Sequence, residues 1–191
     1  SEDRDEFFSK IFDFIVRFFG SLCLGTIAVM PFVFGILVNE KFAESYYQIP
    51  ILILGSVFNI LVSFLGSVYV AKKLTKEIAK TSIIAAIINI VVNVALINQI
   101  GLYAASISTV IAYFAMFIYR WIDVKKYVSI KTNKTLIAVL SVSFLVAIIT
   151  YYLKMKIISI VVLLAVIIIA IYINKDSAKY LTEIVKKRFK K

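Results

Sequence analysis

Six apolar stretches, at about 18–38, 49–71, 81–98, 102–119, 135–153 and 157–173, run through this chain with no Asp, Glu, Lys or Arg inside them. A helix needs about 20 apolar residues to cross the hydrocarbon core of a bilayer. At that length only a helix satisfies its own backbone hydrogen bonds in lipid, so each stretch predicts a membrane-spanning helix. Together they take up most of the 191 residues, and the expected fold is all-α, a polytopic bundle of six transmembrane helices. Composition agrees: 62% of the residues are hydrophobic and 17% charged, against roughly 25% charged in soluble domains.

The connections are short and carry charges or turn formers: Asn39-Glu40-Lys41, Lys72 to Lys76, Asn98 to Gly101, Arg120 to Lys134, and Lys154-Met155-Lys156. Basic residues divide unequally between alternate sides. Nineteen of the 22 Lys and Arg lie in 1–17, 72–80, 120–134 and 175–191, and only Lys41, Lys154 and Lys156 fall on the other side. The positive-inside rule then places both termini in the cytoplasm, as an even number of spans requires. Residues 1–17 and 175–191 mix apolar and charged residues and read as amphipathic segments on the cytoplasmic surface. For the tail, a frayed solvated helix is equally open. The chain opens at Ser1 with neither an initiator Met nor a signal peptide, which leads us to expect a fragment of a longer protein.

The net charge of +11 sits beside the apolar runs, as expected next to an anionic leaflet. No basic stretch interleaved with aromatics points to nucleic acid. With no His and one Cys, the chain cannot by itself supply a zinc cage, a disulfide framework, a Cys–His pair or a Ser-His-Asp triad. Neither paired carboxylates nor a nucleophile–base spacing occurs in or beside a span, so no enzyme, cofactor or metal is expected. All eleven Asp and Glu lie in the amino-terminal segment, the loops or the tail. A proton- or sodium-coupled carrier, or a pump for cationic drugs, would be expected to bury a carboxylate. Trp121 and the Tyr residues near span ends read as interfacial anchors.

Polar residues inside the spans fall on faces. At 100° per residue, Ser56, Asn59, Ser63 and Ser67 line one side of the second span, and Ser82, Ala86, Asn89 and Asn93 one side of the third. Ser21, Gly25, Ala28 and Gly35 form a small-residue stripe on the first, with Arg17 on its extension, where Asp13 could pair with it. Ala104, Ser108 and Ala112 repeat every four residues in the fourth, a spacing that lets backbones approach closely. Pro31 should kink the first span or leave a carbonyl free. The fifth and sixth spans lack a polar stripe. The expected organisation is therefore a four-helix core over 18–130 and two peripheral helices over 131–174. Two roles are open to Asn59, Asn89 and Asn93: interhelical glue, or the lining of a polar cavity. Arg17 could likewise snorkel to the headgroups or point inward and bind an anion.

The stretch Ser82 to Thr109 carries a helix with a repeated Asn, Asn89 and Asn93, a short loop ending in Gly101, and the small-residue run Ala104-Ala105-Ser106, with a Lys-rich loop after it. It resembles the carboxy-terminal half of polysaccharide-biosynthesis flippases, the Wzx-type lipid-linked-oligosaccharide exporters of the multidrug/oligosaccharidyl-lipid/polysaccharide superfamily. Tyr103 stands where that family has a second Gly. Glu2 to Phe12, Pro31, Phe34-Gly35 and Lys41-Phe42 are similar to the segment that begins the family's later helices, and the resemblance covers most of 1–130.

The resemblance implies one lobe of a two-lobed alternating-access flippase for an isoprenoid-pyrophosphate-linked glycan. Its partners would be that glycan lipid, the membrane lipids, and a missing amino-terminal lobe or a second chain. Candidate cavity residues are Arg17, Ser56, Asn59, Ser63, Asn89 and Asn93: amides and hydroxyls for sugar, and a cation for pyrophosphate. The alternatives are a multidrug carrier of the same superfamily, disfavoured by the missing buried carboxylates, and a non-transport subunit of glycan assembly.

Overall fold

The computed structural model describes the backbone of residues 2–188 and the side chains of residues 3–175. Its helices are α1 (Glu2–Leu37), α2 (Ile49–Ala71), α3 (Thr75–Ile100), α4 (Tyr103–Val124), α5 (Lys134–Leu153) and α6 (Lys156–Arg188), with a 3-10 helix at Glu40–Gln48 between α1 and α2. Six helices are long and apolar enough to cross a membrane, and no strand occurs among the described residues. The protein is an all-α, multi-pass membrane bundle.

Local chemistry sets the turns. Gly101 ends α3 at φ 55° and ψ −133°, a backbone conformation that side chains disfavour, and its N–H closes on the Ile97 carbonyl. Asn133 caps α5 by accepting from the Leu136 N–H at 3.0 Å. Lys154 turns the chain from α5 to α6 in the left-handed region, at φ 53°. α1 runs on through Pro31, whose missing N–H leaves the Ile27 carbonyl without its helical donor.

Contacts at the two ends fix the alternation of the helices. Arg4 donates to the Tyr127 carbonyl, and the Ser129 and Lys131 N–H groups donate to Asp5 and Ser9, so the start of α1 meets the α4–α5 connection. This is the basic end. At the far end Tyr46 and Tyr151 stack with centroids 4.3 Å apart, and the Tyr151 and Tyr152 hydroxyls donate to the Tyr46 and Tyr47 carbonyls. Lys154 donates to the Tyr47 hydroxyl. These tyrosines tie the 3-10 segment to the end of α5, in addition to any anchoring at the interface.

Two expectations about organisation are corrected by the packing. Residues 2–17, within the segment expected to lie on the surface as 1–17, form no separate helix: they are the first part of the 36-residue α1, about 54 Å long at 1.5 Å per residue. Their apolar face, Phe8 and Phe12, is buried against Phe64 of α2, and Phe12 also meets Trp121 of α4. Nor do α5 and α6 stand outside a core built from α1 to α4. α1 packs on α2, α5 and α6, and Leu24, Ile27, Leu140, Phe144, Tyr151 and Val166 share one buried cluster. Their many Ile, Val and Leu residues do leave an outward apolar face on both helices, but α1 offers the inner side something to bury against. The amphipathic reading of 175–191 falls, beyond Lys175, on side chains outside the described residues.

α4 packs between α2 and α3, and α3 touches little else. The row predicted to allow close approach is buried there: Ala104 and Ser108 are fully covered and Ala112 nearly so. Gly55 of α2 faces Thr109 and Val110 across the same contact. Ser108→Leu should cost about 1–3 kcal/mol by overpacking, read as a lower thermal midpoint in detergent, whereas Val94→Leu on the outward face of α3 should leave the midpoint unchanged.

Candidate functional site

With α4 as its floor, a groove of 840 Å³ opens between α2 and α3. α2 contributes Asn59, Ser63, Gly66 and Ser67, α3 contributes Ser82 and Asn89, and α4 contributes Thr109 and Arg120. These residues converge because each helix turns its polar or small face to the same side. The α2 hydroxyls spend their protons on their own helix, Ser63 donating to the Asn59 carbonyl at 2.8 Å and Ser67 to that of Phe64 at 2.7 Å. Thr109 does the same toward Ala105. Their oxygens remain acceptors. Asn89 donates to the Thr109 hydroxyl at 3.2 Å, so it joins α3 to α4 while lining the groove, and the two roles open to it coexist.

The strongest group in the groove is Arg120, 3% exposed. Its Nε and Nη2 donate to the Thr81 hydroxyl at 2.9 and 2.6 Å, its Nη1 donates to the Val62 carbonyl at 3.0 Å, and Nη2 also reaches the Ile78 carbonyl and the Ser82 hydroxyl. Gly66 makes the room: a Cβ there would stand 2.9 Å from Nη1. Among the described residues no carboxylate forms an ion pair with Arg120. Asp123, one turn later, instead accepts from Tyr69 at 2.9 Å and pairs with Lys126 at 2.7 Å. The guanidinium is thus solvated by neutral oxygens, and its positive charge is uncompensated beside the groove. An anion is the natural complement to such a site.

Of the six candidate residues, the structure brings Asn59, Ser63 and Asn89 together. Ser56 lies on α2 away from the groove, donating to the Leu52 carbonyl. Asn93, one turn beyond Asn89, is also outside it, and its buried Oδ1 has no hydrogen-bond partner. Arg17 faces elsewhere. Its guanidinium pairs with Asp13 at 3.3 Å, as the four-residue spacing suggested, donates to the Ile173 carbonyl of α6 at 3.2 Å, and lines a separate hollow between α1, α5 and α6.

Arg120 was placed by the sequence in a loop, because the fourth apolar run stops at Tyr119. Carrying the four-residue period of Ala104, Ser108 and Ala112 onward would have found it: Met116, Arg120 and Val124 continue the same buried row. Asp123 likewise belongs to the last turn of α4 and not to a loop.

Lysine in place of Arg120 keeps the charge but cannot reach Val62, Ile78 and Thr81 with one ammonium. Arg120→Lys should therefore lower stability by about 1–3 kcal/mol, measured as the thermal midpoint of the purified protein. Comparison of the chain with protein-family models, with curated proteins and with solved structures returned no match.

Proposed function

We propose that the chain is one lobe of a membrane flippase that carries an isoprenoid-pyrophosphate-linked oligosaccharide across the cytoplasmic membrane by alternating access. The observation that carries this reading is the chemistry of one groove: hydroxyl and amide groups at Asn59, Ser63, Ser67, Ser82, Asn89 and Thr109 beside the uncompensated cation of Arg120. Sugar hydroxyls donate to oxygen acceptors, pyrophosphate favours a guanidinium, and the isoprenoid tail can stay in lipid. A carboxylate-free lining favours an anionic cargo over a cationic drug. The groove is open on one side, and a second lobe from the same protein or another chain would complete the path, with rocking between lobes exposing it to each leaflet in turn. In this reading the basic end faces the cytoplasm, as the distribution of Lys and Arg requires. The protein moves its cargo without chemical change.

In the complete transporter, Asn89→Leu should reduce glycan export at least tenfold with protein levels unchanged, because it replaces a polar wall by an apolar one of similar size. Undiminished export would remove the groove from the path. Hydration is checked separately: in a Cys23→Ser background, Ser63→Cys and Ser82→Cys should react with a membrane-impermeant maleimide, and Ile87→Cys, facing outward on α3, should not.

A further inference from the structure

The hollow that holds Arg17 has a chemistry unlike the α2–α3–α4 groove. It encloses 550 Å³ between α1, α5 and α6 near the basic end of the bundle. One part of its wall is cationic and polar, with Arg17, Lys175, Asn133 and Thr135, and the other is apolar, with Val139, Ile168 and Ile169. The two parts are ordered along the helix axes. Asn133 caps the start of α5 and Lys175 follows the apolar run of α6, where basic residues gather in the sequence, and Val139 and Ile168 lie one to two turns further into the apolar runs.

Arg17 is held but not saturated. Nη1 spends one bond on the Ile173 carbonyl and Nη2 one on Asp13, and a guanidinium carries five N–H groups. Lys175 is exposed, with its ammonium 4.6 Å from the centre of the Tyr172 ring, which keeps the charge over the mouth of the hollow. Among the described residues, the carboxylate that stands against these two cations is that of Asp13, already paired at 3.3 Å.

We infer that this hollow seats an anionic phospholipid, the headgroup phosphate between Arg17 and Lys175 and the upper acyl chain against Val139, Ile168 and Ile169. Basic clefts between transmembrane helices at the headgroup level match the charge of such lipids, and each cation at the surface favours them by about fivefold. The apolar wall is what distinguishes this occupant from a free phosphate, which would use only the polar part. The inference concerns a bound membrane lipid and does not depend on what the protein transports.

Native mass spectrometry of the purified full chain, released from mixed micelles of phosphatidylglycerol and phosphatidylcholine, tests it. The unaltered protein should retain phosphatidylglycerol preferentially. Lys175→Gln should cut the preference about fivefold, Arg17→Gln with Lys175→Gln should bring it close to parity, and Lys73→Gln on the α2–α3 turn should leave it unchanged. Excess inorganic phosphate should not displace the lipid. Equal retention of both lipids by the unaltered protein, a preference indifferent to Lys175→Gln, or displacement by phosphate would each overturn the proposal. Should the double variant fail to fold through loss of the Arg17 bond to Ile173, Lys175→Gln alone decides, since among the described residues its side chain contributes no hydrogen bond between helices.

Discussion

In hydrocarbon a charged or polar group must find its partners within the protein, because no water is there to supply them. Arg120 is where that requirement bears hardest on this chain. Its guanidinium takes oxygens from Val62 on α2 and from Ile78, Thr81 and Ser82 on α3, while its own backbone belongs to α4. One side chain thereby fixes the relative position of three helices, and Gly66 is the concession in α2 that lets it do so. Burying such a group costs several kcal/mol before its bonds are counted. The bonds explain how the fold tolerates it, and the lack of a neutralising carboxylate among the described residues explains the electrostatic character of the groove it borders.

α2 separates two environments. Its polar face borders the groove with Asn59, Ser63 and Ser67, while Val57, Phe58, Ile60 and Leu61 face an apolar hollow of 290 Å³ shared with Phe12 and Phe19 of α1, Phe117 and Trp121 of α4, and α5. Aromatic rings dominate that second side, with Phe12, Phe64, Phe117 and Trp121 in a chain of tilted contacts. The polar lining is thus backed by a broad apolar surface. A second cluster joins α1 to α5 and α6. The two are linked through α1, whose length lets Phe12 serve one and Leu24 the other.

The spans themselves were legible because their signal is one-dimensional: an uncharged run of sufficient length can do little else. α2 follows its run residue for residue, and α5 differs from its run by one. What the runs hide is where a helix continues past its last apolar residue, and so Arg120 was read as lying in a loop and Asp13 in a segment separate from the first span. The amphipathic pattern of 5–17 marks an apolar face, yet periodicity cannot say whether lipid headgroups or another helix will cover that face; Phe64 and Trp121 cover Phe12. The same limit separates Asn89 from Asn93. Both lie on one side of α3, but only the first meets Thr109, because the crossing point of two helices is set by the whole bundle and not by either sequence. Arg17 shows a further form of it. Of the small-residue stripe above it, Ser21 accepts from Asn174 of α6 and Ala28 is buried in the cluster shared with α5 and α6, while Gly25 and Gly35 face open space, so a stripe neither guarantees a contact nor names its partner.

The thin attachment of α3 bears on how the chain is assembled. Its main partner, α4, follows it in the sequence, so during synthesis α3 is made before the helix that covers most of its packed side. Until α4 follows, Ile83, Ile87, Ile90 and Val94 face outward and the Asn89 amide lacks its Thr109 acceptor. Isoleucine and valine on the side away from its polar stripe suit that interval in lipid. The wall of the groove is accordingly complete only once Arg120, at the end of α4, reaches Thr81.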